Sequence, residues 1–161
     1  MKSNKGFSLV ELIIVIAIMA LLVGLMAPQL IKYIEKTNVS SDIQLADTIR
    51  TGVTTSIVDA EVRADDASQP FLTLMESSTG MNINENTQFL NSDCVLKTSL
   101  EESFGFPINE IMSRIRSAHG VDCDCNVKTN NNVVIVTFTC TDNTGMKDAT
   151  NSTPENDITV D

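Results

Sequence analysis

Between Leu12 and Ala27 the chain carries no charged or hydrogen-bonding side chain. The run of Leu, Ile, Val, Met and Ala begins at Leu9, and it is long enough to cross a bilayer, which takes roughly 20 apolar residues at a rise of about 1.5 Å each. In hydrocarbon a lone segment of this length must satisfy its own backbone, so it is expected to be helical. A cleaved secretory signal would place its cleavage site after such a core. Here that position reads Leu25-Met26-Ala27-Pro28, and a proline just past the scissile bond fits poorly. A plain membrane anchor, with Lys2 and Lys5 left in the cytoplasm, explains the segment except for one residue. Glu11 stands near the start of the apolar run, where an ionised carboxylate in lipid costs about 2.5 kcal/mol or more.

The rest of the chain is polar and acidic. From Lys32 onward 9 Lys and Arg face 20 Asp and Glu, a net charge of −11 against −10 for the 161 residues together. A basic tip, an apolar rod and an acidic body follow in order. Such a body repels phosphate backbones, and with no Trp and one Tyr it offers little for stacking bases, so nucleic acid is not an expected partner.

The string Lys5-Gly6-Phe7-Ser8-Leu9-Val10-Glu11, running into Leu12-Ile13-Ile14-Val15-Ile16-Ala17, resembles the N-terminus of type IV prepilins and related pseudopilins. The likeness is close over residues 1–30 and general beyond them. It implies a leader (residues 1–6) removed by a membrane-embedded prepilin peptidase, which cuts between Gly6 and Phe7 and methylates the new Phe7 amine. It further implies a transmembrane and assembly helix over 7–31, an extracellular domain over 32–161, and an inner-membrane pilus assembly platform as a partner. Mature copies would form a homo-oligomeric helical filament. In these terms the chain is a single-pass membrane protein, N-terminus inside, that becomes an extracellular filament subunit. A type II secretion or competence pseudopilin is the alternative within the class, and a monomeric membrane-anchored binding domain is the alternative outside it.

The chemistry suits those residues. Gly6 leaves the scissile backbone uncovered. A free Phe7 amine would sit at a helix N-terminus, already partly positive and rich in unpaired N–H groups. Glu11 lies one turn on, on the same face. It can compensate that amine within its own chain or in a neighbour, which is how the family is thought to set axial register. Pro28 cannot donate to the Gly24 carbonyl, and glycine weakens a helix further, so Gly24 and Pro28 mark an expected helix break. The resemblance implies local melting there in the filament; a bend at the membrane exit is the other reading.

Past Pro28, apolar residues at Ile43, Ala46, Ile49, Val53, Ile57 and Ala60 have helical spacing, with Asp42, Asp47 and Asp59 off the stripe. One helix is expected from Ser8 to Ala64, with Gly52 a mild weak point. Val121–Thr129 and Val133–Thr141 alternate and are rich in β-branched residues, with Asn130-Asn131-Asn132 between them, which predicts a hairpin. Val121, Cys123, Cys125, Val127, Val134, Val136, Phe138 and Cys140 would share its inner face. Short helices are expected at Leu96–Ser103 and Ile108–Ala118, and an edge strand at Ile158–Val160. The fold class is α+β: a long N-terminal helix, its hydrophobic half protruding and its amphipathic half packed on a small antiparallel sheet.

Cys94, Cys123, Cys125 and Cys140 fall in the part expected outside the cell, where disulfides form, and four cysteines allow three pairings. A turn at Asn131-Asn132 puts Cys123 opposite Cys140 and leaves Cys94 for Cys125; a one-residue slip changes the register and places Cys125 no better. Zinc on four thiolates and free thiols are the alternatives, although Cys-x-Cys is not a usual zinc spacing. Asp142-Asn143-Thr144-Gly145 with Asp148 is oxygen-rich, but it lacks EF-hand spacing and reads as a turn. Asn38-Val39-Ser40 and Asn151-Ser152-Thr153 match glycosylation sequons. His119 has no partner set. With no nucleophile triad, phosphate loop or paired carboxylates, neither catalysis nor a cofactor is expected.

Overall fold

The computed structural model describes residues 8–117, 123–130, 133–140 and 157–160, with side chains through residue 139. The chain divides into two compact units, Met1–Glu35 and Lys36–Asp161. Helix α1, Leu9–Val58, supplies residues to both.

In the first unit every large apolar side chain of α1 is open to solvent, from 51% exposed at Ile13 to 74% at Leu9. Nothing within the unit covers the rod, so its surroundings must. Its 18-residue window reaches a mean hydropathy of 3.0, the length and composition of a membrane span.

The second unit has its own core. There α1 buries Val39, Asp42, Ala46, Ile49, Val53 and Ser56, spaced alternately by three and four, together with Gly52. The expected stripe is therefore rotated. Ile43 is 40% exposed, whereas Asp42, expected off the stripe, is fully buried. The shift has a physical basis, because both polar residues on the true stripe find partners. Asp42 accepts the backbone N–H of Arg116 at 2.9 Å and of Ser117 at 2.8 Å. The Ser56 hydroxyl meets that of Ser99 at 2.8 Å.

The helix also stops short of Ala64. Asp59 leaves helical backbone (φ −63°, ψ 129°) and its carboxylate caps a new helix, α2 (Ala60–Ala64), at the Glu61 N–H. Arg63 Nε donates at 2.7 Å to the Ile57 carbonyl, one of those α1 leaves open at its end. Gly52 is a site of close approach rather than a weak point: a Cβ there would lie 2.6 Å from Phe104 Cε1.

Next come α3 (Gln69–Glu76), strand β1 (Met81–Asn82), α4 (Thr87–Leu90) and α5 (Val95–Phe104). Of these only α5 was expected. Its first turn is capped from a distance: Asp65 Oδ2 accepts the Val95 N–H, and Ser68 Oγ accepts the Leu96 N–H while donating to the same carboxylate. These bonds hold the Asp65 carboxyl below its ordinary value, the Ser68 hydroxyl being the largest cause and the Val95 N–H the next.

The segment expected as one helix from Ile108 is instead a 3₁₀ turn (Ile108–Glu110) followed by α6 (Ile111–Arg114). Ile115 turns extended and delivers the next two amides to Asp42. Ala118 and His119 lie outside the described residues, as do both Asn131 and Asn132.

Strands β2 (Cys123–Asn130) and β3 (Val133–Cys140) form the expected hairpin, paired from Cys123 with Cys140 to Asn130 with Val133. Strand β4 (Asp157–Val160) joins the outer edge of β3, giving an antiparallel sheet of order β1-β2-β3-β4. Cys123, Cys125, Val127, Val134, Val136 and Phe138 all face inward, into one core with the α1 stripe. Val121 lies outside the described residues. Asn84 extends the short β1 with its side chain: its amide accepts the Cys125 N–H at 2.6 Å and donates to the Cys123 carbonyl at 3.0 Å. Those two edge groups of β2 would otherwise need a longer partner strand.

Candidate functional site: the N-terminal helix and the cysteines

The start of α1 is organised by the two polar residues before its apolar run. Ser8 Oγ accepts the Val10 N–H at 3.3 Å, and Glu11 Oε2 reaches back to the Ser8 N–H at 2.9 Å. The Glu11 bond is the N3-to-N-cap half of a capping box, whose sequence signature is Ser8-x-x-Glu11 ahead of an apolar run, while the Ser8 hydroxyl caps the N2 amide. That signal lies in the chain itself, beside the charge that Glu11 brings to the apolar run. The bond turns the carboxylate toward the helix N-terminus, where unpaired amides and the aligned peptide dipoles favour negative charge. It lowers the penalty for holding Glu11 near lipid and leaves the second carboxylate oxygen available. Gly6 and Phe7 lie outside the described residues.

Gly24 and Pro28 both lie within α1, which runs through them without a break in the single chain. Pro28 still withholds a hydrogen bond from the Gly24 carbonyl. A Cβ placed on Gly24 would touch nothing within 4 Å, so this glycine is not required by packing in the lone chain. The melting reading of this pair concerns assembled copies rather than the single chain.

Cys123 is disulfide-bonded, and Cys140 is its direct partner in the ladder. Cys94 and Cys125 are free thiols, both buried, in place of the second bridge that elimination assigned to them. Each has a local setting of its own. Cys94 opens α5 with its sulfur 3.2 Å from Ser92 Oγ, and Cys125 faces inward near the start of β2. Burial, and secondarily the charge of Asp124, pushes the Cys125 thiol well above its ordinary value, so it is inert to bases and oxidants from outside. A four-thiolate site is not assembled, since Cys123 is oxidised. Among the described residues no group of three or more His, Cys, Asp or Glu side chains is placed to share a metal. The oxygen-rich stretch 142–148 and the second sequon lie outside the described residues. In the first sequon, Asn38 is half-buried and Val39 belongs to the core.

Comparison with known proteins bears on the same segment. Residues 1–27 match the family model of the prokaryotic N-terminal methylation motif. Over 109 residues the chain is 30% identical to the type IV major fimbrial protein FimA of Dichelobacter nodosus, covering 60% of this chain and 68% of that protein. It is 38% identical over 65 residues to a fimbrial protein of Moraxella nonliquefaciens, covering 40% and 42% of the two chains. A second Dichelobacter nodosus FimA is 35% identical over 69 residues, covering 42% and 43%. No solved structure matches the chain.

Proposed function

The chain belongs to the type IV pilin family, and we propose on that premise that it is made as a prepilin and polymerised through α1 into an extracellular filament. Processing removes residues 1–6 by a cut between Gly6 and Phe7, and the Phe7 amine is methylated. The observation that carries the reading is the Glu11 carboxylate, held 2.9 Å from the Ser8 N–H at the head of a helix whose large apolar side chains from Leu9 to Ile34 are all uncovered. The matched methylation motif spans this same stretch. Before assembly, lipid covers the rod; in a filament, the rods of other copies do. An incoming Glu11 that meets the Phe7 amine of a subunit already docked is stabilised strongly, because neither charge has water to fall back on. A misregistered copy leaves both charges unpaired, so the pair sets the axial stagger. A peptidase and an inner-membrane platform act on the chain, which supplies no chemistry itself.

Two measurements test this. Sheared filaments should yield a chain that begins at Phe7 and carries one added methyl group. Glu11→Ala should remain inserted in the membrane but yield no filament. A full-length chain confined to the membrane, indifferent to Glu11→Ala, would establish an anchored monomer and overturn the reading.

A further inference from the structure

A groove of about 430 Å³ runs between α1 and the α6 segment, lined by Ser41, Gln44 and Thr48 on one side and Ser113, Arg114 and Arg116 on the other. Its polar groups are hydroxyls, one amide and two guanidiniums, with no carboxylate. The setting makes that composition unusual, because the chain from Lys32 onward is strongly acidic. Nearby acids are already engaged. Asp47 pairs with Arg50 at 2.9 Å, and Glu110 meets Arg114 Nη2 at 3.2 Å. The Arg114 guanidinium also lies 3.9 Å over the Phe106 ring, which fixes its plane. Arg116 is exposed and its guanidinium has no ion-pair partner among the described residues. Its backbone is nevertheless pinned, because the Arg116 and Ser117 amides are both tied to the buried Asp42. A fixed anchor, a cation free to pair and a ring of neutral donors suit a carboxylate.

We infer that this arginine groove is a subunit–subunit contact that receives a carboxylate-bearing surface of a second copy of the chain. The inference rests on the filament reading above. An open helical polymer needs a heterologous contact, in which a patch on one subunit meets a different patch on the next. A cationic groove on an acidic body meets that need, and its counterpart is abundant on every copy. Asp66 and Glu102, for instance, are exposed and carry no partner among the described residues. Polymerisation supplies that counterpart at high local concentration.

The test uses the full-length chain in cells that make filaments, with a benzophenone side chain in place of Ser113 and, separately, of Thr48 to guard against a local misfold. Irradiation should give dimers and higher ladders in sheared filaments, joined to a peptide of a second copy that contains Asp or Glu. Arg116→Glu should lower that cross-link about tenfold, the effect of one lost charge-assisted contact. Filaments in which both probes stay unlinked, or link to polysaccharide or to another protein, would overturn the groove assignment alone. Absence of filaments from the unsubstituted chain would take down the filament reading and this contact with it.

Discussion

Asp42→Ala offers the sharpest test of how the second unit is held together. The carboxylate is fully buried and accepts two backbone amides, at 2.9 and 2.8 Å, from residues more than seventy positions away. A hydrogen bond to a charged group contributes about 1.5–3 kcal/mol, and the variant removes two while leaving the buried Ser117 amide unpaired. Against this, a buried charge and its desolvation penalty disappear as well. The net expected loss is about 2–4 kcal/mol. Asp42→Asn keeps the volume but offers one acceptor oxygen and sets an NH₂ group against the other amide, so it should lose roughly 1.5–3 kcal/mol. Urea unfolding of the full chain in detergent reads the magnitude as a lower midpoint at constant slope. Hydrogen exchange reads the place, since Arg116 and Ser117 should lose protection before the rest of the core. If both variants stay within about 0.5 kcal/mol of the parent, the range of an ordinary surface change, and exchange at these two amides is unaltered, then Asp42 is not the tie described here.

Asp65→Asn should flatten the acid limb of the stability curve. Its carboxyl is held below 3.8 by bonds that only the ionised form makes well, so its contribution is complete above that value and is lost as pH falls through the lower folded pKa; melting temperatures from pH 6 to pH 2 would show it, and parallel curves would refute it. Gly52→Ala gains about 1 kcal/mol of helix propensity but drives a methyl to within 2.6 Å of the buried Phe104 ring, an overpacking of about 1–3 kcal/mol. A net loss in the same urea assay is expected, and a gain would mean that α5 moves aside freely.

What the chain disclosed before its structure follows a physical division. The hairpin and its inward face were legible, because strand alternation fixes which residues point inward, whereas the register, open to a one-residue slip in the sequence, is set by the pairing of Asn130 with Val133. The apolar rod was legible as well, since its length and composition lie in one unbroken stretch. Several of the misread elements depend on a polar side chain whose partner is remote, although the early end of α1 is set locally by the Asp59 cap on Glu61. Asp42 was set off the α1 stripe because carboxylates are usually solvated, yet its partners are 74 and 75 residues away. Asn84 completes β1 through bonds to residues 39 and 41 positions on, and Asp65 caps α5 from 30 positions back. The cysteines differ: pairing by elimination requires two leftover thiols to meet, whereas Cys125 is simply buried and Cys94 is buried beside the Ser92 hydroxyl. One clue was nevertheless present. Val39, Ala46, Ile49 and Val53 follow a strict alternation of three and four whose missing step is Asp42 and whose next step is Ser56. A polar residue on an otherwise regular apolar stripe marks a place where that stripe meets backbone or hydroxyl groups instead of more hydrocarbon. Both positions do so here, and the first of them anchors the segment that carries Arg116.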